Sequence, residues 1–246
     1  MIIHLKNVSL SFHENSSPIL QSLNFKVEQG EFIVIIGSNG SGKSSLIKLI
    51  SGDYSSTKGE VIVKNQKLAS YLTQDISIST ISELTVLENL ILSLLKNKSS
   101  SLGSYLKHRD TVSKDLLTVD DIFKSNIDQP ISLLSGGQRQ IIATFMSLYS
   151  CKELLLLDEH TSALDPKTEK KLMAYTAKII DEKNLTTLMI THKLDDAIKF
   201  GNRIIMLHKG RIVEDINKIQ KSKMTADQLL NLFHKYEDKI LRAEND

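Results

Sequence analysis

Gly37-Ser38-Asn39-Gly40-Ser41-Gly42-Lys43-Ser44 fits Gly-x-x-x-x-Gly-Lys-[Ser/Thr] at every fixed position. It stands between an apolar run that reads as a strand, Phe32 to Ile36, and a run of helical period, Ser45 to Ile50. Glycines at these positions let the backbone curl until successive N–H groups point at one anion, and the start of the following helix adds partial positive charge. Lys43 would bring a full charge to the outer phosphates of a nucleoside triphosphate, and Ser44 a hydroxyl for Mg2+. A glycine-rich turn with a surface lysine is the alternative, and the flanking strand and helix weigh against it. A second cluster, Asp158-Glu159, follows four leucines, Leu154 to Leu157. An acid at the exit of a buried strand can hold Mg2+, and a second beside it can orient and polarise an attacking water. The other reading of Asp158 is a helix N-cap ahead of Thr161 and Ser162, but a cap does not need four leucines behind it.

Residues of this kind need a frame. Glu31 to Ile36 and Glu153 to Leu157 read as fully buried strands, and Ile2 to Phe12, Gly59 to Thr73, Thr186 to Thr191 and Arg203 to Leu207 as further β runs. Helical patterns lie between the buried strands, the alternation expected of a parallel sheet with helices on both faces. Thr85 with Glu88 forms a capping box ahead of Val86 to Leu95, Pro166 opens a helix behind Asp165, and Thr225 with Gln228 caps the last helix. That helix has an apolar stripe of Leu229, Leu232, Phe233, Tyr236 and Ile240. From about Asp75 to Ser150 helices dominate. The expected organisation is one domain over 1–246. Residues 1–74 and 151–217 form the α/β core with its β subdomain, 75–150 an inserted helical subdomain, and 218–246 a helical tail. Lys98 to Ser104 reads as an exposed loop.

The composition narrows the function class. The 246 residues carry 31 Lys plus Arg against 29 Asp plus Glu, and a net charge of +2 argues against a polyanion-binding surface spread over the whole molecule, so no nucleic-acid partner is expected, although it leaves room for a local basic patch. One cysteine, Cys151, forms no internal disulfide, which suits a reducing cytosol. The opening residues Met1 to His4 lack the basic and long apolar stretches of a signal peptide, and no window approaches the ~20 apolar residues of a membrane span. A membrane role would need another chain to hold the protein there.

Leu134-Ser135-Gly136-Gly137-Gln138-Arg139-Gln140 resembles the signature motif of ATP-binding cassette (ABC) ATPases, and the resemblance runs from Ile3 to about Asp215. It implies an α/β fold: a RecA-like P-loop NTPase core with a parallel sheet, an N-terminal antiparallel β subdomain and an inserted α-helical subdomain. Ser135 and the glycines precede the helical run Gln138 to Leu148, a second anion-binding helix start in the same chain. Two such starts suggest a head-to-tail pair, as in the family, where ATP lies between the P-loop of one subunit and the signature of the other. The resemblance assigns ATP to Gly37 through Ser45, to the signature residues Ser135, Gly136, Gly137 and Gln138, and to Phe12 as the aromatic group stacked on adenine. A core position at the end of a strand is the other reading of Phe12. Gln74 matches the Q-loop glutamine that reaches Mg2+, with Ser44 and Asp158 as further metal-site residues. Glu159 matches the catalytic base, Asp165 the D-loop aspartate and His192 the switch histidine at the γ-phosphate. His160 stands where most relatives have proline, and Ile141 and Met146 where arginines are common.

The segments Leu157 to Lys167, Thr186 to His192 and Gly201 to Met206 look like those of bacterial importer cassettes, and that resemblance implies an ATPase bound to an integral membrane permease and a second ATPase subunit. An extracytoplasmic solute-binding protein would be an indirect partner, and the solute small, such as an amino acid. The expected place is the cytoplasmic face of the inner membrane, with Gln74 to Asn89 and its apolar Ile76, Ile78, Ile81 and Leu84 facing the permease. For any one of these four, ordinary subdomain core is the other reading. The competing function is a soluble ABC ATPase, as in iron–sulfur cluster assembly. A chromosome-organising ATPase would need long coiled-coil arms, and only about ninety residues separate the two phosphate motifs.

Overall fold

A computed structural model describes residues 1–13, 17–75, 79–95 and 102–243. The chain forms two compact units, Met1–Ala69 with Leu185–Asp246, and Ser70–Asn184.

The first unit opens with β1 (Ile3–Leu10), β2 (Leu20–Val27), β3 (Phe32–Ile36), α1 (Lys43–Ser51) and β4 (Lys58–Val63). β1 is the centre of a three-stranded antiparallel sheet, between β2 and β4, and buries Ile3, Leu5, Val8 and Leu10. β3 pairs in parallel with β7 (Thr186–Ile190) on one side and with β8 (Arg203–His208) on the other. All five residues of β3 and of β7 are buried, the mark of strands covered on both faces. β9 (Arg211–Ile216) returns antiparallel along β8. Three short or terminal helices complete the unit: α7 (Leu194–Lys199), α8 (Lys218–Lys221) and α9 (Ala226–Ala243). Buried Lys221 donates from Nζ to the carbonyl oxygens of Phe200 and Gly201, closing the end of α7, and its burial pushes the ammonium pKa down to about 8.

The second unit holds the parallel pair β5 (Ser70–Leu72) and β6 (Leu154–Asp158) with α2 (Val86–Leu95), α3 (Leu102–Val119), α4 (Phe123–Asn126), α5 (Gly136–Ser150) and α6 (Pro166–Glu182). Both expected capping boxes form. Glu88 N donates to Thr85 Oγ1 at 3.2 Å while Thr85 N donates to Glu88 Oε2 at 2.8 Å, and Thr225 and Gln228 repeat the pattern at 3.2 and 2.9 Å in the first unit. No helix of the described residues is long and apolar enough to cross a membrane.

Several elements differ from the sequence reading, among them β9, which it did not include. β2 escapes it because Ser22 adopts a positive φ of 48° and shifts the alternation between Leu20 and Leu23. The run Gly59 to Thr73 is two strands, β4 and β5, in different units and separated by a 3-10 turn at Gln66–Leu68. Within the expected loop Lys98 to Ser104, α3 already begins at Leu102, and Lys98 to Ser101 lie outside the described residues, as do Ile76 and Ile78.

Asn89 ties the segment before α2 to that helix. It is fully buried, its Nδ2 donates to the carbonyl oxygens of Ile81, Leu84 and Thr85 at 3.0 to 3.2 Å, and its Oδ1 accepts from Ile81 N at 2.9 Å. Asn89→Leu keeps the branched outline of the side chain but removes every one of these partners. Stranded buried polar groups should then lower the stability of the fold by about 2–4 kcal/mol, read as the shift of the urea unfolding midpoint.

Candidate functional site

The phosphate loop leaves the buried end of β3 through backbone that only glycine tolerates. At Gly37 φ is 153°, and a Cβ would meet Leu207 O at 2.2 Å; at Gly42, which caps α1 with φ 102°, it would meet Leu20 Cδ2 at 2.8 Å. The loop is braced by the β8–β9 turn, where Gly210 N donates to Ser41 O at 3.0 Å. Lys43, the first residue of α1, is 6% exposed, and its Nζ donates to Gly37 O at 2.8 Å and Ser38 O at 3.0 Å. A cation is therefore held inside a ring of backbone at a helix start, with Ser44 and Ser45 half-buried beside it and Asn39 and Gly40 at the exposed tip. A buried lysine and a helix start at a glycine-built loop are an arrangement that can receive an anion.

Two further residues assigned to the site lie in the same unit. Phe12 is 52% exposed and meets Tyr54 edge-on, with centroids 5.1 Å apart, so it is no core residue. His192 is exposed, two positions beyond the end of β7.

The second unit positions the acids. Asp158 is the last residue of β6 and 4% exposed, so the N-cap reading fails. Glu159 follows in the left-handed region, φ 52°, a conformation that costs a non-glycine residue about 1–3 kcal/mol and concentrates at functional sites. Gln140 of α5 fixes this turn: its Nε2 donates to Glu159 O at 3.3 Å and its Oε1 accepts from Ala163 N at 2.9 Å. Sequence reasoning missed Gln140 as a positioning residue, although a buried amide on the apolar face of α5 was a usable signal. His160 is 2% exposed, and burial pushes its pKa down to about 4, so the imidazole is neutral at physiological pH.

The signature residues open α5 in the same unit. Ser135 is its N-cap and closes a box with Gln138, Gln138 N donating to Ser135 Oγ at 3.3 Å and Ser135 N to Gln138 Oε1 at 2.8 Å. Gly136 faces open space, whereas a Cβ on Gly137 would sit 2.9 Å from Ala163 O, so the turn after β6 packs on the signature glycine. Asp165 caps α6, its Oδ1 accepting from Lys167 N at 3.0 Å and Thr168 N at 3.1 Å. The Thr168 hydrogen bonds hold its carboxyl below the usual range. Gln74 is exposed beyond β5.

Residues 20–162 match the family model described as ABC transporter, more than half of the chain. The chain belongs to the ABC transporter family. It is 39% identical over 94% of its length to the tyrosine transport ATP-binding protein of Clostridioides difficile, covering 98% of that protein. The phosphonates import ATP-binding protein PhnC of Lactococcus lactis is 32% identical over 93% of this chain and 98% of its own length. Among solved structures, the dimeric post-hydrolysis state of the ATP-binding cassette MJ0796 bound to ADP and Pi superposes with a TM-score of 0.74 at 27% identity. That match covers 88% of this chain and 99% of the other. As an ABC cassette the chain binds ATP and is an ATPase, and the P-loop fold expected from its motifs is the one it has. Ser44 in the first unit, and Asp158 and Gln74 in the second, each carry a side-chain oxygen of the kind a hard divalent cation takes. Among the described residues no cluster of three or more His, Cys, Asp or Glu forms a protein cage. Mg2+ takes hard oxygen ligands and is bound by few protein groups alongside phosphates.

Proposed function

We propose that this chain is the ATP-hydrolysing subunit of an importer for a small solute such as an amino acid. Two copies would work beneath an integral membrane permease at the cytoplasmic face of the inner membrane, with an extracytoplasmic solute-binding protein as an indirect partner. The observation that carries the ATP chemistry is the glycine-built loop closed around Lys43 Nζ. The direction of transport and the solute class rest on relatives named for tyrosine transport and phosphonates import.

In this reading Gly37 to Ser45 bind the phosphates through backbone N–H groups and Lys43, and Phe12 offers a ring face to adenine. Ser44, Asp158 and Gln74 would hold Mg2+, which neutralises charge on the phosphates when bound. Ser135, Gly136, Gly137 and Gln138 of the partner copy approach the γ-phosphate from a second helix start, and Asp165 meets the partner across the dimer. Glu159 accepts a proton from the attacking water, and His192 donates a hydrogen bond to the γ-phosphate oxygens as charge develops. Closing the pair on ATP is the step that does work on the permease, and hydrolysis reopens it. Ile81, 47% exposed, and half-buried Leu84 support an apolar contact for the permease in the segment Gln74 to Asn89.

Affinity purification of the tagged protein from detergent-solubilised membranes of its own host, with partners identified by mass spectrometry, tests the reading. A multi-spanning protein should co-purify in stoichiometric yield. Only soluble partners, with nothing retained on membranes, would replace transport by a cytosolic role such as iron–sulfur cluster assembly.

A further inference from the structure

Helix α9 carries none of the residues assigned to ATP chemistry, yet its inner face reaches the phosphate loop. Leu229 is fully buried and Leu232, Phe233 and Tyr236 continue the same face. Phe233 and Tyr236 line one small cleft with Gly37 and Ser38 of the loop and with Met206, Leu207 and His208 at the end of β8. The Tyr236 hydroxyl donates to Glu214 Oε1 at 2.7 Å and lies 3.2 Å from Val213 O, both on β9, and its ring centroid is 6.3 Å from that of His208. Glu214 pairs across the sheet with Met206, and Met206 with Ile36, the residue before the loop. The β8–β9 register slips between Met206 and Leu207, at the level where Gly37 packs on Leu207 O. A ladder interrupted there holds its two strands less firmly, and α9 grips both sides of the break.

We propose that Phe233 and Tyr236 are positioning residues for ATP. By this proposal α9 clamps the end of the β8–β9 hairpin, the hairpin sets Gly37 and Ser38, and ATP binding and the docking of α9 strengthen each other. The proposal rests on ATP binding at the phosphate loop. Coupling of this kind is reciprocal: whatever factor the docked helix adds to ATP affinity, ATP returns to the docking of the helix.

The test uses the full chain as wild type, Phe233→Ala, Tyr236→Ala and Tyr236→Phe. Affinity for a fluorescent ATP analogue with Mg2+, steady-state ATPase kinetics, and trypsin cleavage after Lys235 with and without Mg2+ and ATP are measured. Both alanine variants should raise Kd and KM about five- to twentyfold with kcat within about twofold. Tyr236→Phe keeps the ring and loses the hydroxyl, and should fall between them and wild type. In wild type, ATP should slow cleavage after Lys235 by a similar factor. Unchanged Kd in folded alanine variants, a fall in kcat at unchanged KM, or cleavage indifferent to ATP in a wild type that binds it would each overturn the proposal. If the alanine variants do not fold, Tyr236→Phe and the wild-type cleavage decide it alone. A wild type that fails to bind ATP would overturn the reading of the loop itself.

Discussion

Glu159→Gln should still bind ATP while turning it over about 10²- to 10⁴-fold more slowly, the range that one well-placed general base contributes. The exchange is close to isosteric, and glutamine neither takes a proton at neutral pH nor carries the charge that polarises water. The fold should tolerate it, because the turn is held through main-chain atoms: Glu159 O accepts from Gln140 Nε2 at 3.3 Å and from Ser162 N at 3.1 Å. Glutamine inherits the same left-handed backbone, φ 52°, at similar strain. Phosphate release at saturating ATP, a binding isotherm and a thermal melt together separate the possibilities. An unchanged melt with retained binding and lost turnover assigns the proton transfer to the carboxylate. Turnover within about tenfold of wild type would place the base elsewhere, since a catalytic base removed outright costs more than that. The same measurements on Gln140→Leu would show how far the amide that holds this turn contributes to the placement of the carboxylate.

What the sequence made legible was mostly local. The glycine-lysine loop, the run of leucines before Asp158 and the two capping boxes are each written within a few consecutive residues, and each forms as read. What escaped depends on partners far along the chain. Gln140 reads only as the last residue of the signature segment, with no task of its own, until the turn at Glu159 and Ala163 folds against it. Gly210 has no role in the sequence reading, yet its N–H braces Ser41, and a Cβ there would lie 2.3 Å from Ile19 O. β2 and β9 were invisible for a related reason. A positive φ at Ser22 breaks the period of the first, and the second buries only Ile216 fully, so neither shows the continuous apolar run of β3 or β7.

The loop's dependence on distant backbone leads to a second large effect. Gly37→Ala should lower stability by about 2–5 kcal/mol, the sum of an unfavourable φ and an overpacked contact, and should reduce ATP affinity at least tenfold. The added methyl would lie 2.2 Å from Leu207 O, and that oxygen cannot retreat cheaply because Met206 before it pairs with Ile36 of β3, and Leu207 and His208 beyond the slip pair with Ile212 and Arg211 of β9. Relief would have to come from the loop, which would carry its N–H groups off the positions that converge on phosphate. Gly40→Ala is the matched control. Its φ of 74° is also unfavourable for alanine, but nothing lies within 4 Å of the new methyl, so it should cost only about 1–2 kcal/mol. Urea unfolding and ATP binding measured on both variants distinguish a steric anchor at Gly37 from a general demand for glycine. Equal effects at the two positions would mean that φ alone sets the requirement, whereas a large loss confined to Gly37 would make the β8 backbone part of the machinery that shapes the phosphate cradle.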